Sequence, residues 1–279
     1  MNKYLLAFLV ISFVSVFFFG TYVGLYKIFP YEFLDSSKDV LFEQKTIEKN
    51  QFVKQSSIDS LIRIYDKSDI EQKRNFLTEF FWDVGSLQRV KDKSQLPEVE
   101  SGISDFNYKD FQNLKRIDRL TVEMEYGINS VSYLFLPEQP NEKLILYHQG
   151  HGGDFLLGKD TIKFFLDRNF TVFAMTMPLL GMNNQPIVEM DVLGKIKLNS
   201  HNQLRLLEAN DFNPMKLFLD PIQINLNFLD KEYNFKQYSM IGLSGGGWTT
   251  VVYSAIDERI SDSFSVGGSI PFYLRVDSR

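Results

Sequence analysis

Tyr238-Ser239-Met240-Ile241-Gly242-Leu243-Ser244-Gly245-Gly246-Gly247-Trp248 decides how the rest of the chain is read. Its first four residues have the apolar, β-rich character of a buried strand, and residues 246–257 follow a helical pattern. Between them, Gly242-Leu243-Ser244-Gly245-Gly246 fits G-x-S-x-G. Small neighbours let a serine at such a strand-to-helix turn take strained backbone angles. Its hydroxyl then faces the first turn of the helix, where free N–H groups and the helix dipole can hold a developing oxyanion. Ser244 is therefore the candidate nucleophile, and Gly245, next in the chain, a candidate oxyanion donor. The plain alternative is a glycine-rich turn without chemistry.

A second element points the same way. His148-Gln149-Gly150-His151-Gly152-Gly153 follows the buried-strand run Leu144-Ile145-Leu146-Tyr147, the position from which the other half of an oxyanion hole comes. Gly152 is the candidate for that second donor. A phosphate-binding glycine loop is the alternative, but the G-x-G-x-x-G spacing and the full Walker string are missing. Around these loops, residues 117–125 and 129–136 read as an antiparallel hairpin joined at Tyr126-Gly127, and 170–175 as another buried strand. Residues 158–168 and 215–229 read as helices, with Pro221 either kinking the second or marking its true first turn. Residues 263–266 give a sixth and last strand. Alternating strands and helices predict an α/β fold with a mostly parallel sheet and an antiparallel start.

From about Ile117 to the end this arrangement resembles the α/β-hydrolase superfamily. It is most like bacterial esterase-like members of the dienelactone hydrolase, acetyl-xylan esterase and prolyl-oligopeptidase group. The hairpin, the loop from His148 to Gly153, the Met177-Pro178-Leu179-Leu180-Gly181 turn and the elbow with its glycines carry the resemblance. It implies a serine hydrolase of esters, amides or peptides that uses Ser, an acid and His in that chain order. Ser244 matches the nucleophile, and Gly245 and Gly152 the oxyanion donors. A carboxylesterase acting on a small acyl ester is the leading expectation. A peptidase of the same fold and a non-catalytic binding protein are the alternatives. No cofactor and no metal is expected.

The match stops after Ser244. The three histidines, His148, His151 and His201, all precede it. Of the later aspartates, Asp257 ends the elbow helix, Asp262 precedes the last strand and Asp277 lies close to the end, and none is assigned as the acid. His148 and His151 sit in a loop expected near Ser244, where either could stand in as a base, although ordering the loop by hydrogen bonds is the ordinary role. His201 reads as a solvated or capping residue, with lining the pocket as the alternative. The expectation is a coding sequence that continues past Arg279, and a chain that by itself turns over little substrate.

With no cysteine, a formal charge of -5 and no long Lys/Arg block, disulfide scaffolds, thiolate metal sites and nucleic-acid binding are excluded as main roles. The N-terminus is of another kind. No charged side chain falls between Tyr4 and Tyr26, and Lys3 and Lys27 bracket the run. Such a segment is long enough to span a bilayer as a helix, with tyrosines at its borders. Residues 1–29 are therefore expected to be a transmembrane signal-anchor, N-terminus in the cytoplasm and the bulk outside, with a cleaved signal peptide as the alternative. Residues 30–56 read as a linker, 57–114 as a helical lead-in and 115–279 as the hydrolase-like domain. Within 57–114, a Ser68/Glu71 capping box is expected to start the second of two helices.

Overall fold

The computed structural model describes residues 3–26, 62–82 and 95–269 of the 279. It falls into two compact units, Met1–Leu61 with Phe272–Arg279, and Ile62–Pro271. The expected linker at 30–56, the positions Ile58 and Leu61, and Asp277 lie outside the described residues.

In the first unit, helix α1 (Lys3–Tyr26) is apolar all round, with Phe8, Phe13, Phe17 and Phe18 exposed. Its polar Thr21 hydroxyl donates to the carbonyl of Phe17 at 2.9 Å, so that it needs no water. The stretch Lys3–Val23 is long and apolar enough, by length and composition, to cross a membrane.

The second unit opens with α2 (Lys67–Trp82). Its start corrects the expected Ser68/Glu71 box. Asp66 accepts from the N–H of Asp69 at 3.0 Å, while the Asp69 carboxylate accepts from the N–H of Tyr65 at 2.8 Å. The first of the two expected helices is also corrected where it can be seen, because residues 62–65 are not helical. Nor is the rest of 57–114 purely helical. Strand β1 (Glu98–Ser101) pairs antiparallel with β2 (Arg116–Glu123). All four β1 residues are exposed, so no inside/outside alternation marks them in the sequence. Compactness places no boundary at residue 115, since β1 and α2 share the unit of the sheet.

β2 forms the expected hairpin with β3 (Asn129–Leu136), turning through Tyr126 at φ 61°. The sheet continues with β4 (Lys143–His148), β5 (Thr171–Met175), β8 (Gln237–Leu243) and β9 (Ile260–Val266), in the order β1-β2-β3-β5-β4-β8-β9. β5, β4, β8 and β9 are mutually parallel, and β3 runs against β5. The fold is thus α/β with a mostly parallel sheet and an antiparallel start, with seven strands where six are expected. A separate hairpin, β6 (Ile187–Met190) with β7 (Gly194–Lys197), was not anticipated. Its short strands turn at Gly194, which takes a φ of 69°.

Alternation in the buried strands divides the core between the sheet's two faces. Ile145 and Tyr147 pack with Ile162 and Leu166 of α3 (Lys159–Leu166). Leu144 and Leu146 pack on the other face with Ile222, Leu226, Tyr253 and Ile256. The last four residues belong to α5 (Asp220–Glu232) and α6 (Gly245–Ile256). Pro221 sits in the first turn of α5, where its missing N–H costs nothing, and residues 214–218 before it form a separate 3-10 turn. α2 is tied to this layer by Trp82, whose indole N–H donates to the buried Asp220 carboxylate.

Candidate active site

Ser244 occupies the turn between β8 and α6 at φ 54° and ψ -120°, and its side chain is exposed. A non-glycine residue is strained there, by about 1 to 3 kcal/mol. The surroundings hold it in place: its N–H donates to Val266 on β9 at 2.8 Å, and its carbonyl accepts from Trp248 at 3.1 Å. The glycines make room for this turn. A Cβ on Gly246 would overlap the carbonyl of His148 at the end of β4, so α6 can press its first turn onto the sheet only because that position is bare. Strand, sharp turn, serine and helix N-terminus follow one another as the sequence predicts. The sheet has a mixed, mostly parallel α/β arrangement with Ser244 at one of its strand-to-helix turns.

No protein-family model and no curated protein matches the chain. Among solved structures it is similar to acetyl xylan esterase 1 from Thermoanaerobacterium sp., with 18% identity and a TM-score of 0.46 over 71% of this chain and 57% of that one. An acetyl xylan esterase from Paenibacillus sp. shares 14% identity and a TM-score of 0.46 over 72% and 64%. An esterase from Pyrococcus furiosus shares 14% and 0.43 over 64% and 57%. The chain spans about 57 to 64% of the length of these proteins.

The loop after β4 lies against the elbow. A Cβ on Gly150 would sit 2.8 Å from the Ser244 Cβ and 2.9 Å from the Gly245 nitrogen. Gly152 faces the side chains of Leu157 and Gln149 instead, at 3.4 and 3.5 Å. The loop glycine seated on the serine is therefore Gly150. The loop is fixed by the N–H of Gln149 donating to Met175 at 2.9 Å and by the Thr176 hydroxyl donating to Gly153 at 2.5 Å. Lys159, the lysine that follows Gly158, pairs with Asp110 at 2.6 Å.

The three histidines have distinct places. His148 is buried, with Nδ1 2.9 Å from the carbonyl oxygen of Gln149. Burial pushes its pKa down to about 4, against the smaller raising effect of that carbonyl. His151 is exposed above the elbow, where a Cβ on Gly245 would lie 2.5 Å from its Nδ1. His201 corrects the expectation of a solvated or capping residue. It opens the short helix α4 (His201–Leu204) and is half-buried, with Nε2 2.7 Å from the carbonyl oxygen of Pro178 and Nδ1 3.1 Å from Nε2 of His151. Burial, and secondarily the neighbouring His151, lower its pKa against the pull of the Pro178 carbonyl. The capping role falls to Ser200 and Gln203, whose Oε1 accepts from the N–H of Ser200 at 3.0 Å.

Rings close the circuit around the helix N-terminus. His151 meets His201 edge-on at 5.0 Å, His201 meets Phe218 at 5.1 Å, and Phe218 meets Trp248 of α6 at 5.9 Å. Met177 and Pro178, from the turn after β5, supply the floor and the carbonyl. That turn is held by Asn183, which donates to Met177 at 2.8 Å and accepts from Val131 at 2.7 Å. Beside His201 opens a cavity of about 430 Å³, lined by Phe80, Leu204, Phe212 and Phe218 together with the polar Asn202, Arg205 and Glu208.

Neither described aspartate downstream of Ser244 approaches it. Asp257, at the far end of α6, binds Arg259 at 2.6 Å and accepts from the Tyr253 hydroxyl at 2.9 Å. Asp262 pairs in register with Ser239, near the start of β8, and accepts from Gln237 at 2.8 Å. Among the described residues no cluster of His, Asp or Glu fit for a metal ion occurs.

Proposed function

We propose that this chain is a serine ester hydrolase that cleaves a small acyl ester through Ser244, and that α1 anchors it to a membrane with the N-terminus in the cytoplasm. One observation carries the catalytic reading: a non-glycine residue with an exposed hydroxyl is held at φ 54° and ψ -120° at the N-terminus of a helix. Strain of that kind persists only where the surroundings over-determine it, and nucleophile elbows are such places. In acyl transfer the Ser244 oxygen attacks the carbonyl carbon. The developing oxyanion is received by the N–H of Gly245 and by the loop seated at Gly150. The cavity beside His201 suits the non-reacting part of a small ester.

Hydrolysis of p-nitrophenyl acetate by the full chain, compared with Ser244→Ala, tests this reading. Slow release of p-nitrophenolate that Ser244→Ala reduces to background is the expected result. No Ser244-dependent release from any short-chain acyl ester would leave a non-catalytic binding protein as the better reading, and faster cleavage of short peptide amides would favour a peptidase. For the anchor, the full chain should stay with membranes through alkaline carbonate washing, and residues 30–279 should not. Release of the full chain by the same wash overturns the anchor.

A further inference from the structure

At the foot of the sheet, where β4 starts and farthest along that strand from the elbow, lies a second cavity of about 320 Å³. Three neighbouring strands meet there. Arg116 on β2 stands opposite Leu136 on β3, and the pairing of Phe135 with Val172 brings Leu136 beside Thr171 at the start of β5. All three residues line the cavity, with Lys115 next to them and with Tyr233 and Phe235, from the segment after α5, across from them. The two rings are stacked, 5.4 Å apart between centres and 17° from parallel. Thr171 is 1% exposed and its hydroxyl has no hydrogen-bond partner, an unfavourable state for a buried polar group. The charges are unequal as well. Arg116 is held by the buried Asp118, at 2.9 Å from both Nε and Nη2, which leaves Nη1 unused. Glu142 is paired with Lys236. Lys115 has no acidic partner among the described residues, so the lining carries an uncompensated positive charge.

We propose that this cavity is a binding site for a small aromatic carboxylate, separate from the site at Ser244. The polar lining specifies the carboxylate, which accepts from the Thr171 hydroxyl and from the cations of Lys115 and Arg116. The apolar lining specifies the ring. An inorganic anion would satisfy the donors yet leave Leu136, Pro137, Pro140 and the two aromatic side chains facing water, whereas a planar ring laid on Tyr233 or Phe235 extends the existing stack. The volume stands at the lower end of the range for small-molecule sites, about 300 to 1,000 Å³, which suits a single ring with a short acidic substituent. Much of the site is already in place. Asp118 pins the Arg116 guanidinium, and the Tyr233 hydroxyl accepts from its Nη2 at 3.4 Å. The N–H of Lys115 donates to Leu136 at 2.9 Å, and that of Lys236 to Glu142 at 2.8 Å, so the walls are tied to the strands. Binding therefore has to order little beyond the Lys115 side chain. The length of β4, roughly 17 Å at the rise of a strand, separates this molecule from the elbow, so it is a ligand and not the reacting ester.

The test titrates sodium benzoate into the full chain and follows binding by calorimetry. One saturable site is expected. Acetate, which has the charge without the ring, and benzyl alcohol, which has the ring without the charge, should each bind about tenfold or more weakly. Lys115→Met and Thr171→Val should each weaken benzoate binding by about tenfold. Thr171→Val also separates a binding role from a packing one. It replaces an unpaired hydroxyl by a methyl group of similar shape, so its thermal midpoint without benzoate should equal or exceed that of the wild type. The rise in midpoint that benzoate gives the wild type should shrink in the same variant. Ser244→Ala should bind benzoate as the wild type does. Absence of saturable binding overturns the proposal. So does binding that folded Lys115→Met and Thr171→Val both leave unchanged, or that a folded Ser244→Ala abolishes.

Discussion

At Ser244 the backbone stores free energy that any mobile turn would release. Two hydrogen bonds to its main chain, from opposite directions, and the tight seat of the next glycines on β4 keep it there. Ser244→Gly should therefore raise stability by about 1 kcal/mol in urea unfolding, since glycine accepts a positive φ without strain, while abolishing reaction. A loss of stability would mean that the serine is not strained. Gly246→Ala should do the reverse. Its methyl group meets the His148 carbonyl and has nowhere to go, so a cost of about 2 kcal/mol or more is expected. A neutral result in the same unfolding measurement would show that α6 sits off the sheet.

Among the elements, the visible and the invisible divide by burial. The runs that became β4, β5 and β8 could be read in the sequence because most of their residues are buried on both faces, which favours runs rich in apolar residues. β1 is exposed along its whole length and left no such mark. The elbow was legible because its glycines are forced by contact. Gly150 and Gly152 are alike in sequence, and only the folded chain shows that Gly150 lies against Ser244. His201 was illegible for another reason. Its partners, His151 and the Pro178 carbonyl, come from separate loops 50 and 23 residues away. α2 belongs to this scale as well. Its attachment through Trp82 to a buried carboxylate predicts that Trp82→Phe costs about 1 to 3 kcal/mol in equilibrium unfolding, because a bond to a charged acceptor is lost. Unchanged stability would show that α2 is held by its apolar face alone.

For the whole molecule, pH acts through His148. Its pKa of about 4 in the folded chain lies below the ordinary histidine value of 6.5, so the unfolded chain binds the proton more readily. The fold therefore keeps its full stability above about pH 6.5 and loses it as pH falls toward 4, at up to about 1.4 kcal/mol per pH unit from this one group. Urea unfolding at pH 7.5 and 4.5 should show the loss, and a folded His148→Gln should show less of it; equal losses would assign the effect to other groups. The central claim remains that a folded chain presents Ser244 as a nucleophile, and covalent capture reads this most directly. The full protein is treated with a fluorophosphonate, digested, and the modified residue located by mass spectrometry. The account predicts a single phosphonylated site at Ser244, formed when the native protein is treated and absent when the protein is denatured before treatment. An unmodified Ser244 under conditions that label a known serine esterase to completion would contradict it.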